Sequence, residues 1–306
     1  QKTSCRMILR PDSVSELQDL LRDATAPISG VDIRSLCSLK THVPEDMTAT
    51  VDAGMTLADF QATIGKRDQW LPVDPPAPEL ITIGELLADN LSGPRRMGFG
   101  VIRDWLIGLR YVSAEGDVVF NGGNVVKNVA GFDLCKLMVG NRNALGIIVE
   151  ATFKLAPKPE REQFFEKSCS TITDVADQIN RLWNSGLQFS VLDLKKNPDS
   201  TPKIIAGFSG IAADVEAQTR RLQEIADFSE TDLSHDTWRT EQPNHPMSVA
   251  PNDLTDCILS QKPEQYVARA GNGILYLPGT APKREPSSVE QRIKELFDPR
   301  GILPAL

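Results

Sequence analysis

Two prolines separated by one lysine, Pro157-Lys158-Pro159, limit what this chain can fold into more than any other feature. Proline has no backbone N–H and cannot continue a central strand, so the β-branched run at 146–155 must end here. With 306 residues, of which 41% are hydrophobic, the chain is long enough for two cores. We therefore predict two domains, residues 1–157 completed by 285–306, and residues 160–283.

The first domain is predicted to mix helices and strands. Ser13 and Glu16 form a capping box that starts an amphipathic helix ending near Ala24. Thr56, just after Gly54, is placed to cap a second helix. Strands are predicted at residues 49–53, 106–113, 117–120 and 146–155, with a hairpin turn at 114–117. This pattern favours an α+β fold in which two small subdomains flank a cleft.

The second domain alternates strands with helices. Apolar periodicity predicts helices around residues 175–183 and 215–225. The strand-like runs around them are residues 164–169, 189–194, 204–210 and 266–277. The order β-α-β-β-α-β predicts a ferredoxin-like domain, with two helices on one face of an antiparallel sheet. A last helix, capped at Ser287 and ending at Phe297, is expected to return to the first domain.

Composition excludes several classes of function. The net charge is −8 without a cluster of Lys and Arg, so no nucleic-acid partner is expected. The five cysteines are widely spaced and contain no Cys-x-x-Cys pair, which argues against a zinc or iron–sulfur site. No apolar run reaches the roughly 20 residues of a spanning helix, and no secretory signal pattern is present. We expect a cytoplasmic protein without direct membrane insertion, peripheral to a membrane only through partners.

Glycines are concentrated in the predicted loops between Asp74 and Leu155. Glycine lets a backbone approach a ligand closely and present N–H groups to anionic oxygens, as dinucleotide sites require. Glycine is also the ordinary residue of turns in an α+β domain. From the glycines alone, both interpretations stay open.

The full pattern resembles the FAD-binding domain of the vanillyl-alcohol oxidase and p-cresol methylhydroxylase (PCMH) superfamily, and within it the GlcE-type subunits of glycolate oxidase. The resemblance covers most of residues 8–158 and the C-terminus. The matching text includes Val51-Asp-Ala-Gly-Met-Thr-Leu-Ala-Asp59, and its most specific motifs are Ser92-Gly-Pro-Arg-Arg96 and Val126-Lys-Asn-Val-Ala-Gly-Phe-Asp-Leu134. It implies a two-subdomain PCMH-type FAD-binding domain with a small cap. It also implies FAD as cofactor, with a catalytic flavoprotein subunit and an iron–sulfur subunit as partners in a hetero-oligomer.

The resemblance also implies which residues hold the flavin. It places the FAD diphosphate along Thr82, Ile83 and Gly84, the ribityl and isoalloxazine region against Ser92, Gly93, Gly100 and Asp104, and the adenine side beside Gly140, Gly146 and Ile148, with Pro75 as a further contact.

No catalytic residue and no metal ligand can be assigned from the sequence. The three histidines, His42, His235 and His245, are far apart and form no paired motif. Three carboxylates, Asp104, Asp133 and Glu150, have no evident partner, so none is assigned as acid or base.

Four departures from the family pattern fall at expected contact positions. The Arg-Gly-Gly-Gly-Thr-Lys-type loop that wraps the pyrophosphate is reduced to Ser29-Gly30, and Glu85 replaces an expected glycine. The other two are Asn141-Arg-Asn-Ala144 and Leu303-Pro-Ala305. A carboxylate beside two phosphate charges repels them, so we expect weak FAD binding.

Two functions therefore stay open. One is a subunit of a flavin-dependent complex that oxidises glycolate or a related 2-hydroxy acid, inactive as an isolated chain. The other is an FAD-deficient structural or assembly subunit of that complex, because a fold can persist after its ligand site is lost.

Overall fold

The computed structural model describes residues 7–123, 134–231, 245–279 and 284–306. A five-stranded sheet, in the order β3-β4-β8-β6-β7, forms the centre of the N-terminal half. Its strands are β3 (Leu39–Val43), β4 (Thr48–Asp52), β6 (Leu106–Val112), β7 (Val118–Gly122) and β8 (Ile147–Lys154). All neighbours run antiparallel, and the predicted turn at 114–117 joins β6 to β7. Two short pairs accompany it, β1 (Ile8–Leu9) with β2 (Gly30–Val31), and β5 (Gln69–Trp70) with β9 (Ala156–Pro157).

The helices of this half begin where their capping residues stand. Helix α1 (Val14–Asp23) is capped by the Ser13 side chain, and α2 (Leu57–Ile64) by that of Thr56, as predicted. The other helices are α3 (Ile83–Ala88), α4 (Arg96–Phe99), α5 (Ile102–Trp105) and α6 (Leu134–Met138). Leu17, Phe60 and Ile83 are fully buried, so α1, α2 and α3 contribute to one apolar core with the sheet.

The C-terminal segment packs into this same core. The last helix of the chain, Ser288–Phe297, starts with the predicted capping box at Ser287. Beyond it Ile302 and Leu303 are buried with the first core, and the Ile302 carbonyl accepts a hydrogen bond from the Ile28 N–H at 2.8 Å. The division into residues 1–157 with 285–306, and residues 160–283, stays a prediction, which this packing supports.

A seven-stranded antiparallel sheet forms the second half, in the order β13-β10-β12-β11-β15-β16-β14. Its strands are β10 (Arg161–Ser168), β11 (Val191–Lys196), β12 (Lys203–Gly210), β13 (Ser229–Glu230), β14 (His245–Ser248), β15 (Tyr266–Arg269) and β16 (Ile274–Leu277). Helices α7 (Ile172–Trp183), α8 (Ala212–Ile225) and α9 (Leu254–Gln261) pack on one face and share a separate core, while the last helix is α10. The ferredoxin-like plan is present as β10-α7-β11-β12-α8-β13.

The predicted fourth strand of that plan was wrong in detail. Residues 266–277 form two strands, β15 and β16, which extend the sheet beyond β11, and β13 takes the fourth position. A turn at Gly271-Asn272-Gly273 separates them, where Gly273 has a φ of +64° and donates its N–H to the Arg269 carbonyl at 2.9 Å. Glycine adopts that φ without strain, so the glycine pair was the signal for a hairpin.

A buried ion pair lies on the sheet face that meets α4. Asp193 of β11 and Arg269 of β15 are directly opposite each other and are each 1% exposed. Burial raises the pKa of Asp193 to about 6, and the Arg269 guanidinium opposes that rise. Arg96 of α4 interacts electrostatically with both, and burial lowers its pKa. Helix α4 also donates the Gly98 N–H to the Ser190 carbonyl at 3.2 Å, so it links the two halves.

We expect Gly54→Ala to destabilise the protein by about 1–3 kcal/mol, because a Cβ there meets the Ile33 and Leu36 carbonyl oxygens at 1.9 and 2.5 Å. Gly30→Ala is the matched control, because a Cβ at Gly30 has nothing within 4 Å. Urea unfolding of both variants measures the difference. Equal loss of stability in the two variants would contradict the packing of residues 33–36 against Gly54.

We expect Arg269→Met to cost about 3–5 kcal/mol of unfolding free energy, because it leaves the Asp193 carboxylate buried without its ion-pair partner. The double variant Asp193→Leu/Arg269→Met should recover most of that loss. Arg161→Met, which breaks the exposed pair with Glu216, should cost under about 1 kcal/mol. A loss for Arg269→Met no larger than for Arg161→Met would show that the buried Arg269 is not needed to compensate the Asp193 carboxylate.

Candidate functional site

The first turn of α3 is closed by the side chain of its own third residue. Glu85 Oε2 accepts hydrogen bonds from the Thr82 N–H at 2.8 Å and from the Thr82 hydroxyl at 3.0 Å. In return the Glu85 N–H donates to Thr82 Oγ1 at 3.1 Å, which completes a capping box. A hydroxyl at the N-cap and a carboxylate three residues later favour this arrangement.

The two remaining amides of this turn donate to the chain between β4 and α2. The Ile83 N–H donates to the Met55 carbonyl at 2.9 Å, and the Gly84 N–H to the Ala53 carbonyl at 2.7 Å. Each of the four N–H groups of residues 82–85 therefore has an acceptor within the protein. These are the N–H groups that the start of a helix can otherwise donate to an anion.

Arg34 connects the same carboxylate to the segment that follows β2. Its Nη2 lies 3.2 Å from Glu85 Oε1, and its Nη1 lies 3.2 Å from Asp32 Oδ1. Arg34 and Glu85 are about half exposed, so each ion pair is worth less than about 1 kcal/mol. Arg34 contacts Glu85 Oε1, while Thr82 donates to Glu85 Oε2.

The space beside this turn is small. A cavity of about 30 Å³ lies between residues 31–34, the start of α3 and Ile148. It is lined by the carboxylates of Asp32 and Glu85 and by the Arg34 guanidinium, which give a net charge of −1. Cofactor pockets typically measure about 300–1,000 Å³. The cavity is therefore too small for a cofactor and has the wrong sign of charge for a phosphate.

The loop before α4 contains two of the predicted contacts, Ser92 and Gly93. A third, Pro75, follows Asp74, which lies against this loop. Pro75 is buried, and Gly93 packs so closely on Asp74 that a Cβ would lie 1.9 Å from the Asp74 carbonyl oxygen. The Ser92 hydroxyl accepts a hydrogen bond from Arg96 Nη1 at 3.3 Å. Close backbone packing explains the glycine at position 93.

Arg95 in this loop contacts both halves of the chain. Its Nε and Nη2 donate to the Glu162 carboxylate at 3.1 and 2.7 Å, and its Nη1 lies 3.5 Å from Asp74 Oδ2. The guanidinium also stacks over the Trp70 ring, 5.2 Å from the centroid. Sequence reasoning assigned Arg95 no role, although its position in the specific Ser-Gly-Pro-Arg-Arg motif was the available signal.

The last predicted contacts lie apart from one another. Gly100, with a φ of +79°, precedes α5, where Asp104 Oδ2 accepts the Val101 N–H at 3.0 Å. The Gly140 N–H donates to the Leu87 carbonyl near the C-terminal end of α3. Gly146 lies against the Tyr111 ring, and Ile148 is buried in the first core beside the small cavity. The structure thus brings Thr82, Gly84 and Ile148 together, and their role as flavin contacts stays a prediction.

Side chains considered for catalysis have structural partners where they are described. The His42 Nε2 lies 2.8 Å from Gln69 Oε1, and Glu150 pairs with Arg110 at 3.6 Å. Asp133, His235 and most of the motif at 126–134 lie outside the described residues. Within the described ranges, no group of three His, Cys, Asp or Glu side chains could hold a metal ion, and no helix could span a membrane.

Residues 28–121 match the family described as the FAD binding domain. The chain is 41% identical over 180 residues to glycolate oxidase subunit GlcD of Bacillus subtilis, across 59% of this chain and 38% of that protein. It is 33% identical over 168 residues to glycolate oxidase subunit GlcE of Escherichia coli, across 53% of this chain and 48% of that protein. Against the mitochondrial cytochrome D-lactate dehydrogenase of Arabidopsis thaliana, identity is 27% over 87% of this chain and 54% of that protein. The chain thus spans about half or less of the length of these curated relatives.

A solved structure of alkyldihydroxyacetonephosphate synthase has the same fold. Its TM-score is 0.74 at 17% sequence identity, and the match covers 97% of this chain and 76% of that one. This likeness extends across both sheets, and at that identity it concerns the fold alone.

The family implies FAD, and the residues at α3 test whether the cofactor fits. A diphosphate lying along residues 82–84 needs free N–H donors and room, whereas those donors are bonded within the chain and the adjacent cavity measures about 30 Å³. The described residues at α3 therefore do not fit the diphosphate. Residues 28–121 nevertheless match the FAD binding domain family.

Proposed function

We propose that this chain is a subunit of a flavin-dependent oxidoreductase complex that oxidises glycolate or a related 2-hydroxy acid. The observation that carries the proposal is the similarity of this FAD-binding domain to two different glycolate oxidase subunits, GlcD and GlcE. The similarity to a D-lactate dehydrogenase supports the same class of substrate.

The partners in this proposal are a catalytic flavoprotein subunit and an iron–sulfur subunit. Among the described residues, His42 hydrogen-bonds to Gln69, and no cluster of metal-ligating side chains occurs. Acid–base groups and an iron–sulfur cluster for the reaction then come from other subunits. We place this chain in the cytoplasm. Any attachment of the chain to a membrane surface is made through the partner subunits.

A second candidate is an FAD-deficient structural or assembly subunit of the same complex. The specific observation in its favour is that the four amides of residues 82–85 are satisfied within the chain. In both candidates this chain contributes a folded surface made of both halves. Arg95 and α4 link these two halves to each other.

We expect the purified chain to show no glycolate-dependent reduction of an artificial electron acceptor, even with FAD added. The reason is that the described residues supply no paired histidines and no free diphosphate site. The same assay on the chain co-purified with the catalytic and iron–sulfur subunits should show turnover. The two partner subunits without this chain should turn over glycolate at least about tenfold more slowly.

D-lactate and D-2-hydroxyglutarate serve as comparison substrates in the same assay. Turnover by the single chain would overturn the proposed division of roles. Full activity of the two partners without this chain would overturn its place in the complex.

A further inference from the structure

The feature that bears most directly on the cofactor is that the Glu85 carboxylate closes the first turn of α3. An N-cap hydroxyl and four N–H groups converge at residues 82–85, and Glu85 Oε2 receives two of those five donors. Carboxylate oxygens accept charge-assisted hydrogen bonds in the same way as phosphate oxygens. Glu85 thus takes up two donors of Thr82 that an anion lying along residues 82–84 would need.

Arg34 holds that carboxylate in place. Its guanidinium lies between Glu85 and Asp32, at 3.2 Å from each, so rotating Glu85 away breaks an ion pair as well as the capping box. A diphosphate that entered this cavity would lie beside two carboxylates, those of Asp32 and Glu85, and one guanidinium, that of Arg34. Like charges within a few ångströms oppose each other strongly.

The chain between β2 and β3 closes the remaining space. Gly30 and Val31 lead directly into residues 32–38, and the Gly54 N–H donates to the Leu36 carbonyl at 2.8 Å. The Ala53 N–H donates to the Val149 carbonyl at 2.9 Å. Residues 32–38 are therefore bonded to the end of β4 and to the turn that follows it.

We propose that Glu85, held by Arg34, is a built-in substitute for the FAD diphosphate, so that this subunit folds without FAD and does not retain it. The flavin of the complex is then held by the partner flavoprotein subunit. The contacts at α3 carry the statement about this chain, and the statement about the partner subunit rests on the proposed function.

The first test measures FAD on the full chain. After expression with riboflavin and gel filtration, the ratio of FAD to protein should be close to zero. Adding about 0.1 mM FAD should shift the melting temperature by less than about 1 °C, whereas a micromolar site would raise it by about 4 °C. One FAD retained per chain, or a shift of that size, would overturn the proposal.

The second test asks whether the carboxylate itself closes the turn. In the absence of FAD, Glu85→Gln should lower the melting temperature by about 2–4 °C, because it weakens the capping box and removes the Arg34 ion pair. Glu79→Gln, which neutralises an exposed carboxylate six residues earlier, is the matched control and should change it by less than about 1 °C. Equal melting temperatures for the two variants would contradict the role of Glu85.

The FAD and melting-temperature measurements test the role of Glu85, whereas the glycolate turnover assay tests the proposed function. FAD retention by the chain would overturn the substitute role of Glu85 and leave membership of the complex untouched. A complex that turns over glycolate only with this chain present, while the chain itself holds no FAD, supports both.

Discussion

A backbone N–H at the start of a helix that already donates a hydrogen bond is not available to an anion. At the start of α3, each N–H group donates to an acceptor within the protein. Thr82 and Glu85 bond to each other, and Ile83 and Gly84 bond to the chain after β4. These contacts join α3, the sheet and the segment after β2 into one packed unit. Binding an anion there would break bonds that stabilise this unit and leave the Met55 and Ala53 carbonyl oxygens without their donors, and a buried polar group without a partner costs about 1–3 kcal/mol.

The two halves are joined by a small number of polar contacts. Arg95 reaches Asp74 in the first half and Glu162 in the second, and α4 lies on the sheet that carries the buried pair of Asp193 and Arg269. Buried charges of this kind are costly unless paired, so losing one partner destabilises the fold more than the intact pair stabilises it.

Much of the fold follows from local sequence signals. The caps at Ser13, Thr56 and Ser287 involve residues within four positions of each other, so the helix starts were predicted correctly. The hairpin at 266–277 was predicted as one strand, because the apolar run hid the short turn at Gly271-Asn272-Gly273. The extension of the second sheet depends on pairing between distant strands, which local periodicity does not reveal.

The candidate site was less predictable from sequence. The identity of Glu85 and the absence of a phosphate loop were visible, and both predicted weak FAD binding. The spacing of Thr82 and Glu85 is that of a capping box, which the sequence could have revealed, whereas the contact of Glu85 with Arg34, 51 residues earlier in the chain, was not visible. Asp104 and Glu150, which had no evident partner in the sequence, accept from the Val101 N–H and pair with Arg110 in the fold.

Amide hydrogen exchange at residues 82–85 tests the central claim most directly, because it reports on the N–H groups themselves. The account predicts that these four amides exchange slowly without FAD, and that added FAD leaves their rates unchanged. Fast exchange that becomes slow when FAD is added would contradict it, because the donors would then have been available to the cofactor.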